Sequence, residues 1–243
     1  MISRTIPWLD DPADFPDAAL ALKNPNGLLA AGGALSPEWL LAAYQRGIFP
    51  WFSKDEPILW WSPDPRFVLF PREIRIRRSL RRVLRQRRFD VRVDTDFPAI
   101  IAGCAMPRET GGGTWILPAM HAAYCRMSEL GYAHSVECWR EGRLVGGLYG
   151  MALGRVFFGE SMFSTETDAS KVALASLARL LDDKGFVMID CQMRTAHLLS
   201  MGAREISRDE FCAGLGRCTV ENDPCRWPAD LAASIGWNDA TEI

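Results

Sequence analysis

Gly154 to Gln192, GRVFFGESMFSTETDASKVALASLARLLDDKGFVMIDCQ, reads as one strand–helix–strand unit. Val156 to Phe158 is a short β-branched and aromatic run ended by Gly159. Asp168 stands where a helix N-cap is expected. From Ala169 to Asp183 the apolar residues Val172, Ala173, Leu177, Leu180 and Leu181 recur at helical spacing. Gly185 occupies the position past the helix end where a left-handed residue is wanted. Phe186 to Ile189 is continuously apolar, as in a strand covered on both faces. The unit puts one carboxylate at the end of each strand, Glu160 and Asp190. Ligands gather at such carboxyl ends in open α/β sheets, although a solvated strand-end acid is an equal reading of the pattern alone.

Upstream of this unit, Ala133 to Trp139 and Arg143 to Tyr149 predict a hairpin around Glu141-Gly142. Pro118 to Leu130 and Phe97 to Cys104 predict helices, and Arg66 to Pro71 and Phe89 to Val93 strands. Downstream, short helices at Arg194 to Ser200 and Arg208 to Leu215 flank a strand ending at Ile206, and the tail with Pro224 and Pro228 reads as loosely structured. Antiparallel strands followed by strand–helix–strand indicate an α+β fold with a mixed sheet. Near the N-terminus, Ser36-Pro37-Glu38 starts a helix that runs to Gly47. Beyond it, Ile48 to Phe52, Ile58 to Trp61 and Ser62 to Arg66 crowd aromatics and prolines into a packed, irregular surface. That surface is either an interdomain seam or the wall of a ligand site.

With 243 residues, 48% hydrophobic and 24% charged, the chain is long enough for one large domain or a medium one plus a small one. Its start, MISRTIPWLDDPADF, lacks the apolar run of a signal peptide, and no stretch of 18 apolar residues exists to span a membrane. The seven cysteines are odd in number and form no C-x-x-C pair, which points to free thiols in the cytoplasm rather than a zinc site or a disulfide framework. His121, His134 and His197 sit in no arrangement that supports nucleophilic or metal chemistry, and His134, in a strand, reads as structural.

The net charge of −2 hides an asymmetry: Arg72 to Arg92 holds ten arginines against Glu73 and Asp90. Within it, Ser79 to Arg88 reads as a basic helix with Ile76, Leu80, Val83 and Leu84 on one face and arginines around the rest. Arginine matches phosphate in a bidentate way. The face that includes Arg77, Arg78, Arg81, Arg82 and Arg85 is therefore read as a nucleic-acid backbone contact rather than a merely solvated one.

Arg108-Glu-Thr-Gly111-Gly-Gly113 matches the phosphate loop of coenzyme A-dependent acyltransferases as a string. Pro107 rather than a buried strand precedes it and Trp115 follows closely, so a mobile glycine loop that delivers Trp115 is the better reading.

Several longer strings resemble the leucyl/phenylalanyl-tRNA–protein transferase family. They are Gly27-Leu-Leu-Ala-x-Gly-Gly-x-Leu-Ser36, Ala43-Tyr44-x-x-Gly47-Ile-Phe-Pro-Trp51 and Leu59-Trp-Trp-Ser-Pro-Asp-Pro-Arg66. Further on come Gly113-Thr-Trp-Ile116, Ala133-His-Ser-Val-Glu137, Leu144-Val-Gly-Gly-Leu-Tyr-Gly150, Gly159-Glu-Ser-Met-Phe-Ser164, Ala169-Ser-Lys171 and Ile189-Asp-Cys-Gln192. The resemblance implies a small N-terminal α/β domain, residues 1–65, packed on a larger acyltransferase-like (GNAT-like) mixed-sheet domain, residues 66–243. It implies transfer of Leu or Phe, and Met more weakly, from aminoacyl-tRNA to the α-amino group of proteins beginning with Arg or Lys. The product is marked for degradation by the N-end rule. No metal or other cofactor is implied, no membrane, and a monomer is expected.

Aminolysis of an activated ester needs no covalent intermediate, only attack geometry, a neutral amine and a proton path. Asp190 and Gln192, two apart on an extended segment and so able to face one way, are read as the catalytic pair, with Asp190 polarising Gln192, which hydrogen-bonds the attacking amine. The 2′-hydroxyl of the terminal adenosine is the alternative proton relay. Glu160 is assigned to a substrate amino group, Met162, Phe163 and Leu181 to the apolar pocket, and Trp51, Trp115, Tyr124 and Phe157 to stacking on the adenine. Tyr44 completes the substrate-binding set. Two readings compete: a coenzyme A-dependent N-acetyltransferase, and a non-enzymatic RNA-binding module built on the arginine helix.

Overall fold

The aromatic stretch after Gly47 is regular where its prolines suggested irregularity. In the computed structural model, which describes residues 6–107 and 114–218 together with Pro224 and Trp227, it supplies two short strands. The N-terminal sheet has four strands, β1 (Trp8–Leu9), β2 (Leu28–Gly32), β3 (Phe49–Pro50) and β4 (Leu59–Trp61), in the order β1-β2-β4-β3, with α1 (Pro37–Tyr44) beside it. Only the β1–β2 pair is parallel. Phe15, Trp39 and Trp60 form its aromatic centre, Phe15 meeting Trp60 edge-on at 4.9 Å.

The second sheet begins at β5 (Arg66–Leu69). In chain order follow α2 (Arg78–Arg85), β6 (Asp90–Val93), α3 (Phe97–Ala105), α4 (Pro118–Glu129), β7 (Ala133–Arg140), β8 (Arg143–Leu153), β9 (Val156–Ser164), α5 (Ala169–Asp183), β10 (Met188–Gln192), α6 (Ala196–Ser200), β11 (Arg204–Ile206) and α7 (Arg208–Cys218). The order is β11-β5-β10-β9-β8-β7-β6, mixed because β9 and β10 alone run parallel. The expected hairpin is present, with Glu141 and Gly142 both at positive φ. The fold is thus α+β with two mixed sheets.

Each face of the large sheet carries its own core. One joins Tyr149, Phe158 and Val68 to α3, α4, α7 and the N-terminal sheet. The other joins Phe157, Leu148 and Ile189 to α2 and α5. The N-terminal sheet therefore shares a continuous core with the larger one, and the aromatic seam is ordinary packing at Trp39 and Trp60.

Gly185 takes the expected left-handed conformation, φ +74°. Asp168 does precede α5, but it does not cap it. Its own backbone is left-handed, φ 71°, and its carboxylate accepts from Lys171 Nζ at 2.6 Å instead. The loop Arg108–Gly113 and the tail residues Cys225 and Pro228 lie outside the described residues, so the phosphate-loop reading finds no answer in the fold.

Candidate active site

β9 and β10 pair only over Val156–Phe158 and Met188–Asp190. β9 then bulges. Tyr149 on β8 faces Ser161 and Gly150 faces Gly159, which leaves Glu160 as the extra residue. β10 turns away at Gln192, whose φ is +59°, with a register shift between Asp190 and Gln192 against β5. The two bulges, at the carboxyl ends of the large sheet's parallel pair, open a gap in that sheet. Bulges re-aim side chains in this way next to active sites.

A cavity of about 660 Å³ fills the gap. Leu148, Phe157, Met162, Leu174, Leu177, Ile189 and Leu198 give it an apolar recess toward α5. Toward the N-terminal sheet it is walled by Trp51, Trp115, Tyr149 and Phe163. Glu160 and Gln192 also line it, between these two sides. Its volume suits a ligand of a few hundred daltons.

Glu160 is nearly buried yet accepts three hydrogen bonds. Tyr44 Oη donates to Oε1 at 2.6 Å, Tyr124 Oη to Oε2 at 2.9 Å, and Gln192 Nε2 to Oε1 at 3.1 Å. The two phenols also touch each other at 2.5 Å. Burial raises Glu160 to about 7, with the negative charge of Asp190 adding to the effect and the hydrogen bonds from Tyr44 and Tyr124 opposing it. Burial and Glu160 together keep both phenols protonated, far above the ordinary tyrosine range.

Asp190 is fully buried and does not line the cavity. Arg66, also fully buried, grips it through Nε–Oδ1 at 2.8 Å and Nη2–Oδ2 at 2.6 Å. Nη1 of Arg66 donates to the Gly47 carbonyl at 3.1 Å, and its guanidinium lies 4.5 Å from the Phe211 ring and 4.9 Å from the Phe49 ring. The expectation that Asp190 polarises the Gln192 side chain is corrected. Asp190 Oδ1 accepts from the Gln192 backbone N–H at 2.9 Å, and the Gln192 amide reaches Glu160. The reading of two residues facing one way along an extended strand fails because Gln192 is left-handed.

Other assignments divide. Trp51, Trp115, Met162 and Phe163 line the cavity; Phe157 lines it too, but fully buried on the α5 side as a wall of the apolar recess, so its reading as a stacking face for the adenine is corrected. Met162 and Phe163 sit on opposite sides of β9, as alternation requires: Met162 packs with the α5 core, Phe163 against α3 at Gly103. Tyr44 and Tyr124 are fully buried behind Glu160, so Tyr124 is not a stacking surface. Leu181 is also corrected: it is fully buried one helical turn past Leu177 and does not line the cavity. Sequence reasoning missed Arg66 and His197. His197 lines the cavity; burial lowers its pKa, and the nearby Lys171 charge adds to this.

On α2, Leu80 and Leu84 are buried against α5, while Arg77, Arg78, Arg82 and Arg85 are exposed and Arg81 half-buried. Arg78, Arg81, Arg82 and Arg85 line one shallow depression.

The family model described as leucyl/phenylalanyl-tRNA protein transferase matches residues 68–216, and that for the N-terminal domain of the same family matches residues 33–64. The chain is 69% identical over 234 residues to the leucyl/phenylalanyl-tRNA–protein transferase of Azoarcus sp. (strain BH72), covering 96% of this chain and 100% of that one. It is 64% identical to the protein of that name from Aromatoleum aromaticum, covering 96% and 99%.

Proposed function

The chain belongs to the leucyl/phenylalanyl-tRNA protein transferase family, and we propose that its cavity brings an aminoacyl-tRNA ester against the α-amino group of an acceptor protein. It is an aminoacyltransferase. The observation that carries the reading of the site is the continuity of an apolar recess, lined by Leu148, Phe157, Leu174 and Leu177, with the Glu160–Gln192 wall. Methionine is still accepted, as a weaker substrate, since a pocket of this kind discriminates by only about 1–3 kcal/mol per methylene. Trp51, which is exposed, and Trp115, which is half-buried, line the cavity and supply faces for the terminal adenine.

The acceptor amine attacks the aminoacyl carbonyl carbon, a C–N bond forms, and the ester C–O bond breaks to release the tRNA 3′-hydroxyl. Glu160 receives a substrate amino group and, ionised, takes its proton and returns it to the leaving 3′-oxygen; its value of about 7 suits a base working near neutrality. Gln192 orients the amine. Asp190 and Arg66 act through Gln192, as positioning residues. The 2′-hydroxyl of the terminal adenosine is an alternative carrier for the proton. Acceptors beginning with Arg or Lys, and their degradation by the N-end rule in the cytoplasm, complete the reading, with the chain acting as a monomer. A division at residues 1–65 and 66–243 is supported by the boundary between the two family models, and a GNAT-like larger domain by the parting of β9 from β10.

Incubation with radiolabelled leucyl-tRNA and a model protein beginning with Arg tests this. Label is expected in the protein. Binding of the tRNA without any transfer overturns it.

The α2 arginines are the proposed tRNA backbone contact. Neutralising Arg77, Arg78 and Arg81 together is expected to weaken tRNA binding and flatten the salt dependence, by about 2–3 in the slope of log K against log salt. Filter binding across a salt series measures it, and an unchanged slope removes α2 from the interface.

A further inference from the structure

We infer that Trp227 sets the depth of the apolar recess and with it the preference among aminoacyl groups, an inference that rests on the recess taking the aminoacyl side chain. Trp227 lies beyond the end of α7 in sequence, yet its indole is buried on the α5 side of the large sheet. It stacks on the His134 imidazole, with centroids 3.9 Å apart and rings within 10° of parallel. It lies beside the Phe157 ring at 6.1 Å and 24°.

The base under Trp227 is rigid. His134 is 2% exposed, and its Nδ1 is 2.7 Å from Asp94 Oδ2. Asp94 Oδ1 accepts from the Ser135 backbone N–H at 2.7 Å. The imidazole is thereby fixed in the sheet, which is the structural role its strand position suggested.

Phe157 transmits the contact. It lines the recess and is fully buried. Its ring lies over Gly150, where a Cβ would come within 2.6 Å of the Phe157 ring. Phe157 therefore has backbone beneath it, Trp227 beside it and the recess before it. Without the indole, the ring can withdraw into the space that Trp227 now fills. Cores relax partly into a void left by a deleted side chain, and at this place the relaxing group is a cavity wall. Loss of the indole deepens the recess and favours the longer aromatic substrate.

Trp227→Ala and Trp227→Phe are the test, read as the ratio of kcat/KM for phenylalanyl-tRNA to that for leucyl-tRNA with one acceptor. The alanine variant is expected to shift the ratio toward phenylalanine by roughly tenfold, the phenylalanine variant by less than about threefold. A general loss of structure lowers both constants and leaves the ratio in place. A ratio within about twofold of the parent in a folded alanine variant overturns the inference; if that variant does not fold, Trp227→Leu is read by the same criterion. Thermal stabilisation by the phenylalanyl and leucyl amides of 3′-amino-adenosine gives the binding ratio without transfer. Unchanged binding ratios in the variants sink the depth argument, whereas a parent that binds neither amide and moves label from neither tRNA sinks the reading of the cavity itself.

Discussion

Glu160→Gln is expected to lower transfer by roughly 10²–10⁴-fold at saturating substrates while making the protein more stable than its parent at pH 8. The same burial produces both effects. An ordinary glutamate ionises near 4.5, and Glu160, chiefly through burial, near about 7. Between those values the unfolded chain has released a proton that the folded chain keeps. The stability contributed by this group is full below about 4.5, falls as pH rises, and is gone above about 7. Glutamine does not ionise and escapes that decline. Thermal melts of parent and variant are expected to lie close together at pH 5 and to separate by pH 8, the variant melting higher. The parent's transfer rate should rise with pH through about 7, and the variant should lack that limb. Full transfer by the variant with an unaltered pH profile would remove Glu160 from the chemistry.

What the sequence made legible follows from which forces are local. The strand–helix–strand unit, the hairpin at Glu141-Gly142 and the start of α1 at Pro37 rest on periodicity and turn chemistry, and all three are present. The aromatic lining was legible at Trp51 as one of two readings of the aromatic and proline-rich stretch and at Trp115 from the glycine loop before it, and the long family strings decided against ordinary core. Tertiary contacts decided the rest. Asp190 looked like an exposed strand-end acid, but the one residue that seals it, Arg66, lies 124 positions away and opens a strand that otherwise looks ordinary. Leu181 and Leu177 share a helix face, and only the gap between β9 and β10 decides which of them meets the cavity. The left-handed turn at Gln192 has no signature, because glutamine is not a residue that signals positive φ. Trp227 gave no signal at all, being, like Trp237, an isolated indole in a proline-containing tail.

Arg66→Met is expected to destabilise the fold by about 3–5 kcal/mol and to abolish transfer, although Arg66 does not line the cavity. The variant leaves the Asp190 carboxylate buried without its fork of donors, and such an uncompensated charge is the costly case. Asp190→Leu should cost a similar amount by stranding the guanidinium. The double variant separates stability from function. Replacing a buried ion pair by apolar groups of like volume is often neutral or stabilising, so Arg66→Met with Asp190→Leu is expected to regain most of the lost melting temperature. Transfer should not return with it. Asp190 Oδ1 also accepts the Gln192 backbone N–H, and this bond holds a non-glycine residue in a left-handed conformation that costs of order 1–3 kcal/mol. Without the carboxylate the turn relaxes, and the Gln192 amide leaves Glu160, to which it now donates at 3.1 Å. Denaturant melts and single-turnover transfer on the two single variants and the double variant complete the cycle. A double variant that is stable and fully active would show that Gln192 is held by something other than Asp190, and the chain of contacts from Arg66 to Glu160 would then carry no catalytic role.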